Sequence, residues 1–123
     1  MGKIYAYHRF STDEQDAQSQ RNIIAKYAES KGLQIDEIIS DEGISGSVSY
    51  KKRNLSELLS KTNKGDTIIV SEVSRLTRGG IIELSDMIAE FFAPKGLRLI
   101  ISNVNLDIDC SDMNPLEDIK VLL

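Results

Sequence analysis

The stretch "YAYHRFST", residues 5–12, puts Arg9 two positions before Ser11, at the point where an apolar run turns polar. Successive side chains of a strand leave on opposite faces. Ile4, Ala6, His8 and Phe10 then share one face, and Tyr5, Tyr7, Arg9 and Ser11 share the other. A guanidinium and a hydroxyl leave the sheet on the same side. Further along, "SRLTRGG" supplies Arg75 and Arg78, three apart, which one helical turn would set on one face. Three arginine forks around one hydroxyl suit a doubly oxygenated anion, because arginine stays charged and grips phosphate bidentately. Phosphoryl transfer asks mainly for charge stabilisation on the non-bridging oxygens. Arginines that follow a strand are also ordinary solvated surface residues, whose loss barely affects folding. Spacing alone leaves both readings open.

Other chemistries fit less well. There is no G-x-S-x-G elbow and no P-loop, and the sole histidine precludes a His-rich metal site. His8 is a poor base for Ser11, since the alternation sends it to the opposite, apolar face, where it packs. Cys110 has no second cysteine to pair with and no ligand cluster around it. Asp107, Asp109 and Asp112 read as a solvated acidic loop in preference to a chelating site.

The elements that must position these groups alternate. Residues 3–10 read as a strand, followed by a helix from about Asp13 to Lys31. Thr12 and Gln15 have capping-box spacing, Ile23, Ile24, Tyr27 and Ala28 form a stripe, and Gly32 is the stop. Leu33 to Ile39 is a second strand, and Asp41 to Lys52 is a glycine- and serine-rich loop. Asn54 and Glu57 repeat the capping-box spacing at the start of a short helix with Leu55, Leu58 and Leu59 inward. Thr67 to Val73 is a third strand. Ile81, Leu84, Ile88 and Phe91 lie at helical spacing over 81–93, with Pro94 and Gly96 breaking the helix. Leu97 to Ser102 is a fourth strand, and Asn114, Pro115 and Glu117 open a further helix carrying Ile119, Val121, Leu122 and Leu123.

This alternation predicts an α/β fold of three layers, with a mostly parallel sheet of order 2-1-3-4 flanked by helices. Chemistry in such folds collects at the carboxyl ends of the strands, at the switch point between strands one and three. The chain of 123 residues suits one domain, and its 41% hydrophobic and 28% charged content is that of a soluble protein. A cytoplasmic setting fits the single cysteine and the lack of a membrane-spanning run. The net charge of −4 speaks against an autonomous nucleic-acid-binding module, which would carry a basic footprint. A non-enzymatic flavodoxin-like or receiver-like binding module is the alternative on these grounds.

"YHRFSTDEQDAQSQ", "DEGISG", "KKRNLSELL" and "KGDTIIVSEVSRLTR" follow one another at the intervals found in the serine site-specific recombinases, the resolvase and invertase family, which this chain resembles over nearly its whole length. The resemblance implies a resolvase-like catalytic domain over residues 1–123, cut near the start of a long dimerisation helix, with the DNA-binding region absent. It implies that Ser11 attacks a DNA phosphodiester, forming a 5′-phosphoserine link without metal or cofactor, followed by strand exchange and religation. Double-stranded DNA is the implied partner through the full-length protein, which acts as a homodimer and tetramer, with no membrane involved. Arg9, Arg75 and Arg78 match the phosphate-binding arginines, and Tyr7, Gln15, Gln20, Asp41 and Asp66 fall on supporting positions. The loop's basic residue is Lys52 or Arg53. Glu72 and Ser74 depart from the lysine and aspartate of many relatives, which leaves the general acid or base open. Whether the parent is an invertase, resolvase, transposase or integrase is open too.

Overall fold

The computed structural model describes residues 2–10, 13–43 and 54–110; Ser11, Lys52, Arg53 and the helix expected from Asn114 lie outside these residues. Five strands make one sheet in the order β2-β1-β3-β4-β5. They are β1 (Ile4–Phe10), β2 (Glu37–Glu42), β3 (Thr67–Val70), β4 (Arg98–Ile101) and β5 (Leu106–Asp109). The first four are parallel, as the alternation requires, and β5 pairs antiparallel with β4. The fifth strand takes in Asp107 and Asp109, which the sequence reading put in a solvated acidic loop, and Asp112 lies outside the described residues. Leu106 and Ile108 alternate with Asp107 and Asp109, a period of two that turns the apolar pair toward the core.

Two apolar clusters sandwich the sheet. Tyr5 and Tyr7 of β1 join Leu55, Leu58 and Leu59 of α2 (Asn54–Lys61) and Leu84 and Met87 of α4 (Gly80–Met87) on one side. Ala6 joins Ile24 and Tyr27 of α1 (Glu14–Lys31) on the other, with Ile69 and Ile100. The strand alternation read from the sequence therefore holds. The buried stripe of α1 runs through Ala17, Gln20, Ile24, Tyr27 and Ala28. Ile23 points outward, 37% exposed, because it is one helical step off that stripe.

Several boundaries differ from the sequence reading for identifiable reasons. Helix α1 is capped by Asp13, whose carboxylate accepts from the Gln15 amide at 2.9 Å, so the third helical residue is Asp16. It ends at Gly32, which takes the left-handed conformation (φ 67°) a side chain would resist. Strand β2 begins at Glu37, since Leu33 and Ile35 pack beneath the sheet before pairing starts. Asn54 is the first residue of α2 and not its cap. The Asn54 and Leu55 amides are taken by Asp41 of β2, at 3.0 and 3.3 Å. Pro94 does not break its helix: α4 widens into a π-helical segment over Ile88–Phe92, then continues as α5 (Ala93–Lys95) to Gly96. Leu84, Ile88 and Phe92 are buried and Phe91 is partly so.

The arrangement that matters for function is where β1 loses a neighbour. Its pairing with β2 runs from Tyr5–Glu37 to Phe10–Glu42, whereas pairing with β3 stops at Ala6–Ile69. Strand β3 itself ends at Val70, short of the expected Val73, and the chain bends at Ser71 and Glu72 into the single turn α3 (Val73–Leu76). A crevice opens between the carboxyl ends of β1 and β3, at the point where the strand order reverses.

Candidate functional site

Beyond Ala6, the β3-facing edge of β1 has no strand to pair with, and buried peptide groups left unpaired are costly. Gln20 supplies the missing partner. Its carboxamide oxygen accepts from the Arg9 N–H at 3.1 Å, and its nitrogen donates to the Arg9 carbonyl at 3.0 Å. Gln20 is 1% exposed, so a polar residue on the apolar stripe of α1 does for Arg9 what a ladder would do. That carbonyl also accepts from Arg75 Nη1 at 3.2 Å.

Arg9 is 3% exposed, and its Nη2 donates to the Ser74 carbonyl at 2.6 Å. Arg75 is held from the other side by acids. Its Nη2 lies 2.9 Å from Asp16 Oδ1 and 2.7 Å from Glu72 Oε1, and its Nη1 reaches Asp16 Oδ2 at 3.4 Å. Each arginine is thus bonded to the backbone of the other's chain segment, Arg9 to the Ser74 carbonyl and Arg75 to the Arg9 carbonyl.

Arg78 stands apart. Helix α3 stops at Leu76 and Thr77 is extended (φ −155°, ψ 148°), so no common helical face joins Arg75 to Arg78. Arg78 is exposed and makes no hydrogen bond or ion pair among the described residues. The expectation of a shared face is corrected by the shortness of the turn. Of the two readings that spacing left open, that of solvated surface charges fails for Arg9 and Arg75, whose side chains are largely withdrawn from solvent.

Tyr7 and Asp41 form a second unit below Arg9. The Tyr7 hydroxyl, fully buried, donates to Asp41 Oδ2 at 2.6 Å, while the same carboxylate caps α2. This unit anchors the exit of the segment that carries Lys52 and Arg53 in the sequence. Gln15 is exposed on the first turn of α1. Asp66 is at the opposite, amino-terminal end of the strands, accepting from the Lys3 and Asn63 amides at 2.9 and 2.8 Å, and so is not gathered with the others. His8 is buried against the α1 side. Burial, with the Arg21 charge adding to it, lowers its pKa from 6.5 to about 4, which leaves it neutral at pH 7. Asp107 pairs with Arg98 at 3.1 Å, and no metal-binding cluster of three or more His, Cys, Asp or Glu residues occurs among the described residues.

A buried arginine at the end of the first strand, a crevice at the switch point and a second arginine on the following turn make a distinctive frame. Residues 4–120 match the model of the resolvase N-terminal domain. This chain belongs to the resolvase family. The match is to the N-terminal domain of that family. The chain is 36% identical over 83 residues to the Transposon Tn2501 resolvase of Escherichia coli, a stretch covering 66% of this chain and 41% of that relative. Its fold resembles the N-terminal catalytic domain of TP901-1 integrase (TM-score 0.72, 24% identity, 98% of this chain and 90% of the other). It also resembles the C-terminal catalytic domain of ISC1926 TnpA, an IS607-like serine recombinase (TM-score 0.58, 19% identity, 97% and 77%). No described helix of this resolvase domain is long and apolar enough to cross a membrane.

Two contributors were missed in the sequence, Asp16 and Glu72. Both carried a signal. Asp16 lies four residues before Gln20, on the same helical face, and Glu72 lies three before Arg75, at ion-pair spacing.

Proposed function

We propose that this domain cuts and rejoins double-stranded DNA with Ser11 as the nucleophile. The Ser11 oxygen attacks the phosphorus of a phosphodiester, and the bond from phosphorus to the 3′ oxygen breaks. The serine proton ends on that oxygen, which leaves as a 3′ hydroxyl, and the 5′ phosphate stays on Ser11. Attack of a 3′ hydroxyl on the phosphoserine reverses the step. Ester energy is conserved, and no nucleotide or other cofactor is consumed. Positive charge for the transition state comes from Arg9, Arg75 and Arg78, with Lys52 or Arg53 from the adjoining loop, and no metal ion takes part. Gln20, Tyr7 and Asp41 hold the backbone from which these groups project, and Gln15 and Asp66 are more peripheral. The active form is an assembly of dimers into a tetramer, acting in the cytoplasm within the full-length protein.

The observation that carries this reading is the bond from Arg75 to the carbonyl of Arg9, which lies two residues ahead of Ser11 in the chain, in a domain of the resolvase family. Ser11→Ala in the full-length recombinase, assayed on a nicked suicide duplex, is the test. DNA binding should persist while cleavage and the covalent protein–DNA species vanish, and chelator should leave the wild-type rate unchanged. A covalent adduct surviving in the alanine variant would place the nucleophile elsewhere.

A further inference from the structure

Arg75 donates to the Arg9 carbonyl at 3.2 Å, and a guanidinium largely withdrawn from water needs counter-charge beside it. Before any phosphate arrives, something must hold Arg75 beside Arg9. Asp16 and Glu72 supply that counter-charge. Asp16 meets Arg75 two-pronged, Oδ1 to Nη2 at 2.9 Å and Oδ2 to Nη1 at 3.4 Å. Glu72 takes the same Nη2 at 2.7 Å. Arg75 thus meets two carboxylates, one from α1 and one from the turn before α3.

Each acid is fixed in place by its own element. Asp16 lies in the first turn of α1, where the helix dipole favours a carboxylate, and that helix starts directly after Ser11 and Thr12 in the chain. Glu72 is the N-cap residue of α3, yet its side chain makes no capping hydrogen bond. Its carboxylate is turned to Arg75 instead of to the helix. The side chains of Arg75, Asp16 and Glu72 are 14%, 28% and 39% exposed, so the cluster sits at the mouth of the crevice, neither sealed nor free in solvent.

We propose that Asp16, seconded by Glu72, is the positioning residue for Arg75. It fixes the guanidinium against the Arg9 carbonyl, so that the fork is already aimed when a DNA phosphate enters. The carboxylates act through the arginine they hold. They tie the helix that follows the nucleophile to the turn that carries the arginine, and a local pairing at Ser74 is not needed. This rests on the recombinase reading given above.

The test is single-turnover cleavage of a suicide duplex by full-length recombinase carrying Asp16→Asn, Glu72→Gln, Arg75→Ala, or Asp16→Asn combined with Arg75→Ala. Asp16→Asn should slow cleavage by about tenfold or more with duplex affinity unchanged, in line with the loss of a group that orients a ligating side chain. Glu72→Gln should slow it less. Asp16→Asn should add no further loss in the Arg75→Ala background, whereas a merely structural role would lower the rate in both backgrounds alike. Should Asp16→Asn fail to fold, Glu72→Gln against Arg75→Ala carries the same comparison. A wild-type rate in both charge variants, multiplying losses, or a faster rate would overturn the proposal, the last by making the pair a restraint. The outcomes separate the two readings. An inactive Ser11→Ala with a normal Asp16→Asn sinks only the positioning role, and an active Ser11→Ala sinks the recombination chemistry itself.

Discussion

The carboxamide of Gln20 is bonded to both the N–H and the carbonyl of Arg9, at 3.1 and 3.0 Å, in place of the strand that β1 lacks on that side. The amide works as a one-residue extension of the sheet. It lets β1 run past the end of its pairing with β3 and hold Arg9, itself buried, without leaving the Arg9 peptide unpaired.

Gln20→Ala should therefore destabilise the domain by about 1–3 kcal/mol, the range for leaving a buried peptide group without its partner. Urea unfolding followed by circular dichroism measures this. Loss of cleavage in the full-length protein should accompany it, because the peptide that carries Arg9 is no longer held. A stability change below about half a kcal/mol, the ordinary surface range, would mean that water replaces the amide at no cost.

Asp41 serves the Tyr7 hydroxyl and the first two amides of α2 at once. Tyr7→Phe should cost about 1.5–3 kcal/mol, the range for a hydrogen bond to a charged group. Asp41→Ala should cost more, since it removes the helix cap as well, worth about 1 kcal/mol. Hydrogen exchange gives the sharper signature. The Asn54 and Leu55 amides should exchange faster in Asp41→Ala and stay protected in Tyr7→Phe.

Arg9 and Arg78 should separate in a stability assay. Arg78 is exposed, so Arg78→Ala should leave the unfolding free energy within about 0.5 kcal/mol, and any lost cleavage then reports chemistry alone. Arg9→Ala takes a donor from the Ser74 carbonyl inside the crevice and should cost about 1–3 kcal/mol. Parallel thermal melts and cleavage assays of the two variants check both halves.

His8 links stability to pH. Its folded pKa, about 4, is below the ordinary 6.5, so the unfolded chain binds the extra proton between these values. The contribution is fully present above pH 6.5 and is lost as the pH falls toward 4, amounting to about 3 kcal/mol across the window. A His8→Leu variant, which cannot titrate, should lose less stability between pH 7 and pH 4.5 than the parent. Equal slopes in urea titrations at several pH values would show that the ring protonates in the folded state without penalty.

The sequence by itself determined where four strands and the helices between them lie, to within a few residues, and the two faces of β1. Those follow from periods of two and 3.6 and from stop signals such as Gly32, all of which act over a few residues. The motif spacing likewise marked Arg9, Ser11, Arg75 and Arg78 as one candidate group. Only the tertiary structure decided how the described members of that group stand. It buried Arg9 under a cradle from Gln20, paired Arg75 with Asp16 and Glu72, left Arg78 in solvent, and sent Asp66 to the far end of the sheet. It also let Asp41 cap α2 across 13 residues of chain, where the local pattern pointed to Asn54. The reason is the same in each case. A hydrogen bond or ion pair between elements depends on where β3 ends and how tightly α3 turns, and those are set by packing between distant segments, which no local period records.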